Sequence, residues 1–266
     1  MKLSHLFSGL FLVAVATVCL TGCRDRVFKT YNANIPIYMS LQDWRSMDVE
    51  LESPHALSFP GKIYIKDDIL YVNDLYKGIH VFDYSDPSNL VEMGFLNIPG
   101  NIDMAIRNDV LYVDSFYDLI GIDISDINNP EIVSRVEDAF NFNNATAIPG
   151  LDTDYPIAEW NLDKGIVTGW TVGEVTTEEY PNYYYPQFES FINVDFSMAS
   201  SADPSITSVG IGGSMAQFTV VDDHLYTVEQ TQLSTYDISD PSTTNLTSEI
   251  GINMVGETLF PAQGNL

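Results

Sequence analysis

Short apolar runs separated by polar pairs recur along the chain. Between about 59 and 98, Ile63-Tyr64-Ile65, Ile69-Leu70-Tyr71-Val72, Ile79-His80-Val81-Phe82 and Leu90-Val91-Glu92-Met93 follow one another, divided by Asp67-Asp68, Lys77-Gly78 and Asp86-Pro87-Ser88-Asn89. Each run is short for a helix and rich in β-branched and aromatic residues, and each divider suits a tight antiparallel turn. Four such strands in about 40 residues make one propeller blade.

The module is copied. Asp68-Ile69-Leu70-Tyr71-Val72 leads into Val81-Phe82-Asp83-Tyr84-Ser85-Asp86-Pro87. It returns as Asp109-Val110-Leu111-Tyr112-Val113 with Ile122-Asp123-Ile124-Ser125-Asp126, and as Asp223-His224-Leu225-Tyr226-Thr227 with Tyr236-Asp237-Ile238-Ser239-Asp240-Pro241. Leu70 and Leu111 stand 41 residues apart, as do Leu225 and Leu266. The expected fold is all-β: a β-propeller-like repeat of four-stranded antiparallel blades, an incomplete arc of about three to four, with a long inserted loop. Asp and Ser at the close of each third strand read as turn acceptors for nearby backbone N–H groups, and Pro cannot continue a sheet ladder. The repeated acids, Asp67-Asp68 and Asp222-Asp223 included, are therefore expected in turns rather than in a catalytic pair.

Tyr112 and Tyr226 stand 114 residues apart, which matches no whole number of periods. Residues 137–212 read as an insertion. Gly165 to Val172 suggests one strand within it, and residues 173–208 an irregular, partly disordered loop. In the N-terminal part, Asn32, Asn34, Pro36 and Pro54 break any long periodicity, so residues 23–58 read as a tether and lead-in to blades spanning 59–266. One helical turn is expected after Ser40, with Asp43 at the capping-box spacing. A further module opens at Glu257-Thr258-Leu259-Phe260-Pro261. By register Leu266 matches Leu225, so the final blade is expected cut short, with an exposed edge.

Residues 1–22 carry the composition of a secretory signal, with Lys2 followed by the apolar run Leu10 to Ala16. The closing Leu20-Thr21-Gly22-Cys23 resembles the bacterial lipobox, which makes Cys23 the expected lipid anchor. Cys19 and Cys23 are the only cysteines, so no disulfide or thiolate metal site is expected in the mature chain. The formal charge of −26 excludes nucleic acid and anionic lipid surfaces as partners of the folded part.

The Leu-Tyr-Val core followed by Asp-Ile-Ser-Asp-Pro resembles the LVIVD repeat of bacterial extracellular and envelope proteins. The stretches Pro60-Gly61-Lys62-Ile63-Tyr64-Ile65, Lys77-Gly78-Ile79-His80-Val81, Asp163-Lys164-Gly165-Ile166-Val167 and Gly212-Gly213-Ser214-Met215-Ala216 resemble lipoproteins of this type from Bacteroidetes. The resemblance implies a lipoprotein of the outer membrane or cell surface, with no catalytic residues to transfer.

The chemistry-bearing residues point the same way. His55, His80 and His224 lie in unrelated contexts without a metal-ligand spacing, and Ser214 lacks the second Gly of a hydrolase elbow. Asp152-Thr153-Asp154 lacks the remaining ligands of a calcium loop. No catalytic residue, cofactor or metal is expected. Tyr180, Tyr183, Tyr184 and Tyr185, set among Pro and Glu, are the candidate partner-binding residues, because phenol rings join an apolar face to a polar tip. The leading function is a non-enzymatic, lipid-anchored envelope scaffold that binds a protein or glycan. The alternatives are a propeller enzyme acting on sugars or other small molecules, and an inactive fragment of a longer lipoprotein. Non-repeated carboxylates converging at one end of the channel would favour the enzyme.

Overall fold

Three copies of the strand pattern fold as three antiparallel blades in the computed structural model, which describes residues 28–142, 148–159, 161–178, 217–253 and 259. The chain begins with β1 (Phe28–Met39), α1 (Leu41–Arg45) and β2 (Leu51–Glu52). The first blade is β3 (Pro60–Lys66), β4 (Ile69–Asp74), β5 (Gly78–Asp83) and β6 (Val91–Asn97), with β2 added beside β6. The second is β7 (Met104–Arg107), β8 (Val110–Ser115), β9 (Asp118–Asp123) and β10 (Glu131–Val136). After β11 (Ile166–Glu178) comes the third: β12 (Phe218–Val221), β13 (His224–Glu229), β14 (Gln232–Asp237) and β15 (Asn245–Gly251). Among the described residues this is an open arc. The second and third blades pack directly on each other through Tyr112, Leu225, Phe218 and Tyr236.

The copied Leu-Tyr pair explains how the blades stack. Successive strand residues point to opposite faces, so Leu111 and Leu225 face the preceding blade and Tyr71 and Tyr112 the following one. Tyr71 packs with Leu111, Val113 and Ile122 in the first junction, and Tyr112 packs with Leu225, Phe218 and Tyr236 in the second. The turn acids have the expected role. Asp67, Asn108 and Asp222 open equivalent hairpin turns at φ 53°, 51° and 52°, a left-handed conformation that Asp and Asn tolerate. The carbonyls of Asp68, Asp109 and Asp223 accept from the N–H groups of Tyr84, Ile124 and Ile238 at 2.7, 2.8 and 2.9 Å. At the strand ends, Asp83, Asp123 and Asp237 accept from the N–H groups of Ser85, Ser125 and Ser239.

The N-terminal segment departs from its expected irregularity. Residues 28–39 are a strand paired along its length with β11, from Phe28 opposite Glu178 to Met39 opposite Ile166. Residues 173–178, expected as loop, complete that ribbon. Asn34 is fully buried because main chain and side chain are both tied to residues 152–158: its N–H donates to the Pro156 carbonyl and its carbonyl accepts from the Ala158 N–H, while Nδ2 donates to the carbonyls of Asp152 and Tyr155 and Oδ1 accepts from the Asp152 N–H. Pro36 is tolerated because a two-stranded ribbon has free edges.

The helix forms as expected, with the Asp43 N–H donating to Ser40 Oγ and the Ser40 hydroxyl to Asp43 Oδ2. It docks on the second blade. Arg45 makes two hydrogen bonds to the buried Asp118 carboxylate, at 2.9 and 2.8 Å, and Arg135 adds a third at 2.9 Å. Both guanidinium groups lie 5.6 Å from the Trp44 ring. Hydrogen bonding to Asp118 raises the Arg45 pKa further.

Candidate functional site: a groove between the second and third blades

The two blade junctions carry the same elements but are not filled alike. In the first, Ile127 follows Asp126 and is buried among Tyr71, Ile69 and their neighbours. In the second, the residue after Asp240 is Pro241, whose ring is tied back to its own backbone and reaches less far. A groove of about 240 Å³ remains there. Its floor is Val110, Tyr112, Ile238 and Pro241, and its rim is Arg107, Asn108, Asp109, Asp123, Ser125 and Ser239.

The charges on the rim already have partners. Arg107 is ion-paired with Asp223 of the third blade, and Asp109 with Lys66 of the first at 2.9 Å. The Ser125 N–H and hydroxyl hold Asp123 below the usual carboxylate range. Burial pushes the Tyr112 phenol up to about 12, so it stays neutral. The groove is smaller than the roughly 300 Å³ at which most small-molecule sites begin. Its size suits one inserted side chain or one small ring, held by an apolar floor and a polar rim.

A second polar cluster lies where the inner strands converge. Lys62, Asp103 and Gln217 occupy one register position in the three blades, as do Asn73, Asp114 and Val228. Lys62 Nζ lies 2.9 Å from Asp103 Oδ1 and donates to the Phe218 carbonyl at 2.9 Å. Asp103 Oδ2 accepts from the Phe218 N–H at 2.8 Å, so one carboxylate ties all three blades. Asp114 Oδ1 accepts from the N–H groups of Ile102 and Asp103 and from Asn101 Nδ2. Burial raises Asp103 against the pull of Lys62, and raises Asp114 to about 7 against the hydrogen bonds from Asp103 and Ile102. These are non-repeated carboxylates near one end of the inner strands, the arrangement that would favour an enzyme. Asp103 is fully buried, however, and both side chains are occupied by the protein's own donors, which makes the pair a structural knot.

His80 faces away from Ile79 and Val81, as its alternation predicts. Its Nδ1 lies 2.7 Å from Glu92 Oε1 and its Nε2 3.5 Å from Asp74 Oδ2, with the ring edge-on to Phe95. Asp74 is turned to the backbone, accepting from the Ser58 and Phe59 N–H groups. Asp152 caps its own turn by accepting from the Asp154 N–H. Among the described residues no cluster of three metal-ligating side chains occurs, and no helix is long and apolar enough to cross a membrane. Cys23 and Tyr180, Tyr183, Tyr184 and Tyr185 lie outside the described residues, as does the final module beyond residue 259. The groove escaped sequence reasoning. Its one signal is Pro241 standing where the second blade has Ile127.

The fold defines a repeat protein built of propeller-type blades. Residues 61–97, the first blade, match the LVIVD repeat family. No curated protein matches the chain. Among solved structures it is similar to the N-terminal domain of Nup159, at 11% identity and a TM-score of 0.25, covering 85% of this chain and 51% of that one. It is also similar to a chain in the S. cerevisiae complex of Dbp5 with Nup159, Gle1, IP6 and ADP, again at 11% identity and TM-score 0.25, covering 87% and 52%. The chain thus spans about half the length of these structures.

Proposed function

We propose that this chain is a non-enzymatic interaction scaffold of the cell envelope, of the Bacteroidetes LVIVD lipoprotein type, held to a membrane by lipid on Cys23. The scaffold role rests on the groove between the second and third blades: an accessible cleft whose rim charges are already partnered inside the protein. Such a cleft can receive a side chain or a sugar ring without offering it a free acid, base or nucleophile. The lipid address rests on Leu20-Thr21-Gly22-Cys23 behind an apolar leader. The tyrosine-rich segment with Tyr180, Tyr183, Tyr184 and Tyr185 supplies a second contact for a protein or glycan partner.

Pro241→Ile tests the groove, because it restores the side chain that fills the first junction. Wild type and variant are compared on a glycan array and in pull-downs from an envelope fraction. The scaffold reading expects partners retained by wild type and lost by the variant. An identical partner set would remove the groove from the function. Labelling of cells with an alkyne-bearing fatty acid tests the address: incorporation into wild type but not Cys23→Ser is expected, and equal incorporation would refute it. An enzyme acting through Asp103 and Asp114 is the second reading. Hydrolysis of a glycan that binds wild type, lost in Asp103→Asn, would replace the scaffold with it.

A further inference from the structure

The first junction shows what the groove in the second is shaped to hold. Ile127 is 6% exposed there, in the cluster of Tyr71, Ile69 and Ile124. Tyr112, Val110 and Ile238 occupy the same three places around the groove, and Pro241 stands where Ile127 would be. The space of about 240 Å³ therefore has the lining of a seat that the fold fills elsewhere with a branched aliphatic side chain.

The rim adds a sign. Arg107 is paired with Asp223, whereas Lys66, the cation beside Asp109, is shared with Asp67 at 2.7 Å. Asp123 has the Ser125 N–H and hydroxyl as donors and no ion-pair partner among the described residues. Around the rim, Lys66 and Arg107 thus stand against four carboxylates, those of Asp67, Asp109, Asp123 and Asp223, on a chain of formal charge −26. An approaching segment meets a net negative field, which salt weakens.

We infer that the groove receives a protein segment in which a branched aliphatic side chain sits between basic neighbours. The aliphatic group lies against Val110, Tyr112 and Ile238, and the basic groups stand beside Asp109 and Asp123. This rests on the scaffold reading of the groove and names the chemistry of its occupant. Of the two partner classes, protein fits better than glycan. The precedent in the first junction is a polypeptide side chain, and a neutral sugar would answer none of the acid excess.

Surface plasmon resonance on the full chain in mild detergent is the test. The probes are capped peptides with Lys-Ile-Lys, Lys-Ala-Lys or Glu-Ile-Glu at the centre of a Gly-Ser frame. Lys-Ile-Lys should bind wild type at least about tenfold more tightly than either of the others, and less tightly as salt is added. Pro241→Ile should weaken it at least about tenfold, because it fills the seat while keeping every charge of the protein. That separates the groove from general attraction of basic peptides to an acidic chain. Asp123→Asn keeps an acceptor for Ser125 and should weaken binding about threefold, with a shallower salt dependence. Circular dichroism melts verify folding, and Pro241→Val replaces Pro241→Ile if that variant is unfolded. Absence of Lys-Ile-Lys binding, equal binding of the three peptides, or undiminished binding to Pro241→Ile would each overturn the occupant. Envelope proteins lost in Pro241→Ile, with no selectivity among the peptides, would overturn the occupant alone and leave the scaffold standing. A glycan lost in that variant, with no peptide bound, would put a sugar in its place.

Discussion

Asp114→Asn should remove one component of a pH-dependent stability. The carboxyl lies in the polar cluster at the inner strands, with Oδ1 accepting from the Ile102 N–H at 2.9 Å, the Asp103 N–H at 2.8 Å and Asn101 Nδ2 at 2.9 Å. Burial raises it to about 7 in the folded protein, against about 3.9 in an unfolded chain. Between those values the folded state binds the extra proton. Stability therefore falls as pH rises from about 4 to 7 and levels off above, with a slope of at most about 1.4 kcal/mol per pH unit. Over some three units the loss is roughly 4 kcal/mol, an upper bound that local relaxation reduces. Asparagine keeps the Oδ1 acceptor and cannot ionise. Urea denaturation of both proteins at a series of pH values from 4.5 to 8 reads the effect, with the difference between them as the informative quantity. Asp103, also raised by burial, is present in both proteins, and drops out of that difference apart from the mutual repulsion of the two carboxylates. The expected result is near-equal stability at pH 4.5 and a more stable variant at pH 8. Parallel profiles would show that Asp114 is ionised throughout and that its hydrogen bonds, not its burial, set its charge.

Asp118→Ala should cost about 2–3 kcal/mol, because it removes the buried carboxylate from Arg135 and leaves Arg45 only its surface partners Glu137 and Asp138; tryptophan fluorescence should report the loosening of α1, and an unchanged urea midpoint would refute the docking role. Gly78→Ala should be more damaging than its size suggests. Gly78 sits at φ 149°, and an added Cβ would run into the backbone of Leu96 and Ile98. A cost of about 2–3 kcal/mol or more is expected from the strain and the clash together. A thermal melt indistinguishable from wild type would sink that account.

The blades were legible because their information is local and repeated. A period-2 strand pattern, turn-forming Asp and Asn, and Ser two residues after each strand-ending Asp give the same answer three times over. The ribbon of β1 and β11 was not legible. Its strands lie more than a hundred residues apart, neither belongs to the repeat, and the residues that looked like breakers are satisfied by distant partners. Asn34 is the clearest case: it reads as a strand breaker in sequence, yet its main chain bridges to Pro156 and Ala158 and its buried side chain adds hydrogen bonds to Asp152 and Tyr155. Its partners could not be found from spacing.

The candidate sites lie where the repeat departs from itself, which is why a repeat-based reading passed over them. Copied acids serve every blade and so can be assigned to turns. Positions that change from blade to blade carry what is particular to this protein. Lys62, Asp103 and Gln217 share one place in the repeat but form an ion pair in one junction and none in the next. Ile127 and Pro241 share another, and the difference between a branched side chain and a closed ring leaves a groove of about 240 Å³. Ile63 and Met104 share a third, and one is 61% exposed where the other is fully buried against the first blade. Each contrast was present in the aligned modules as a substitution. Its meaning required knowing which face each position occupies and which neighbour that face meets, and that follows only once the second and third blades are seen to be adjacent.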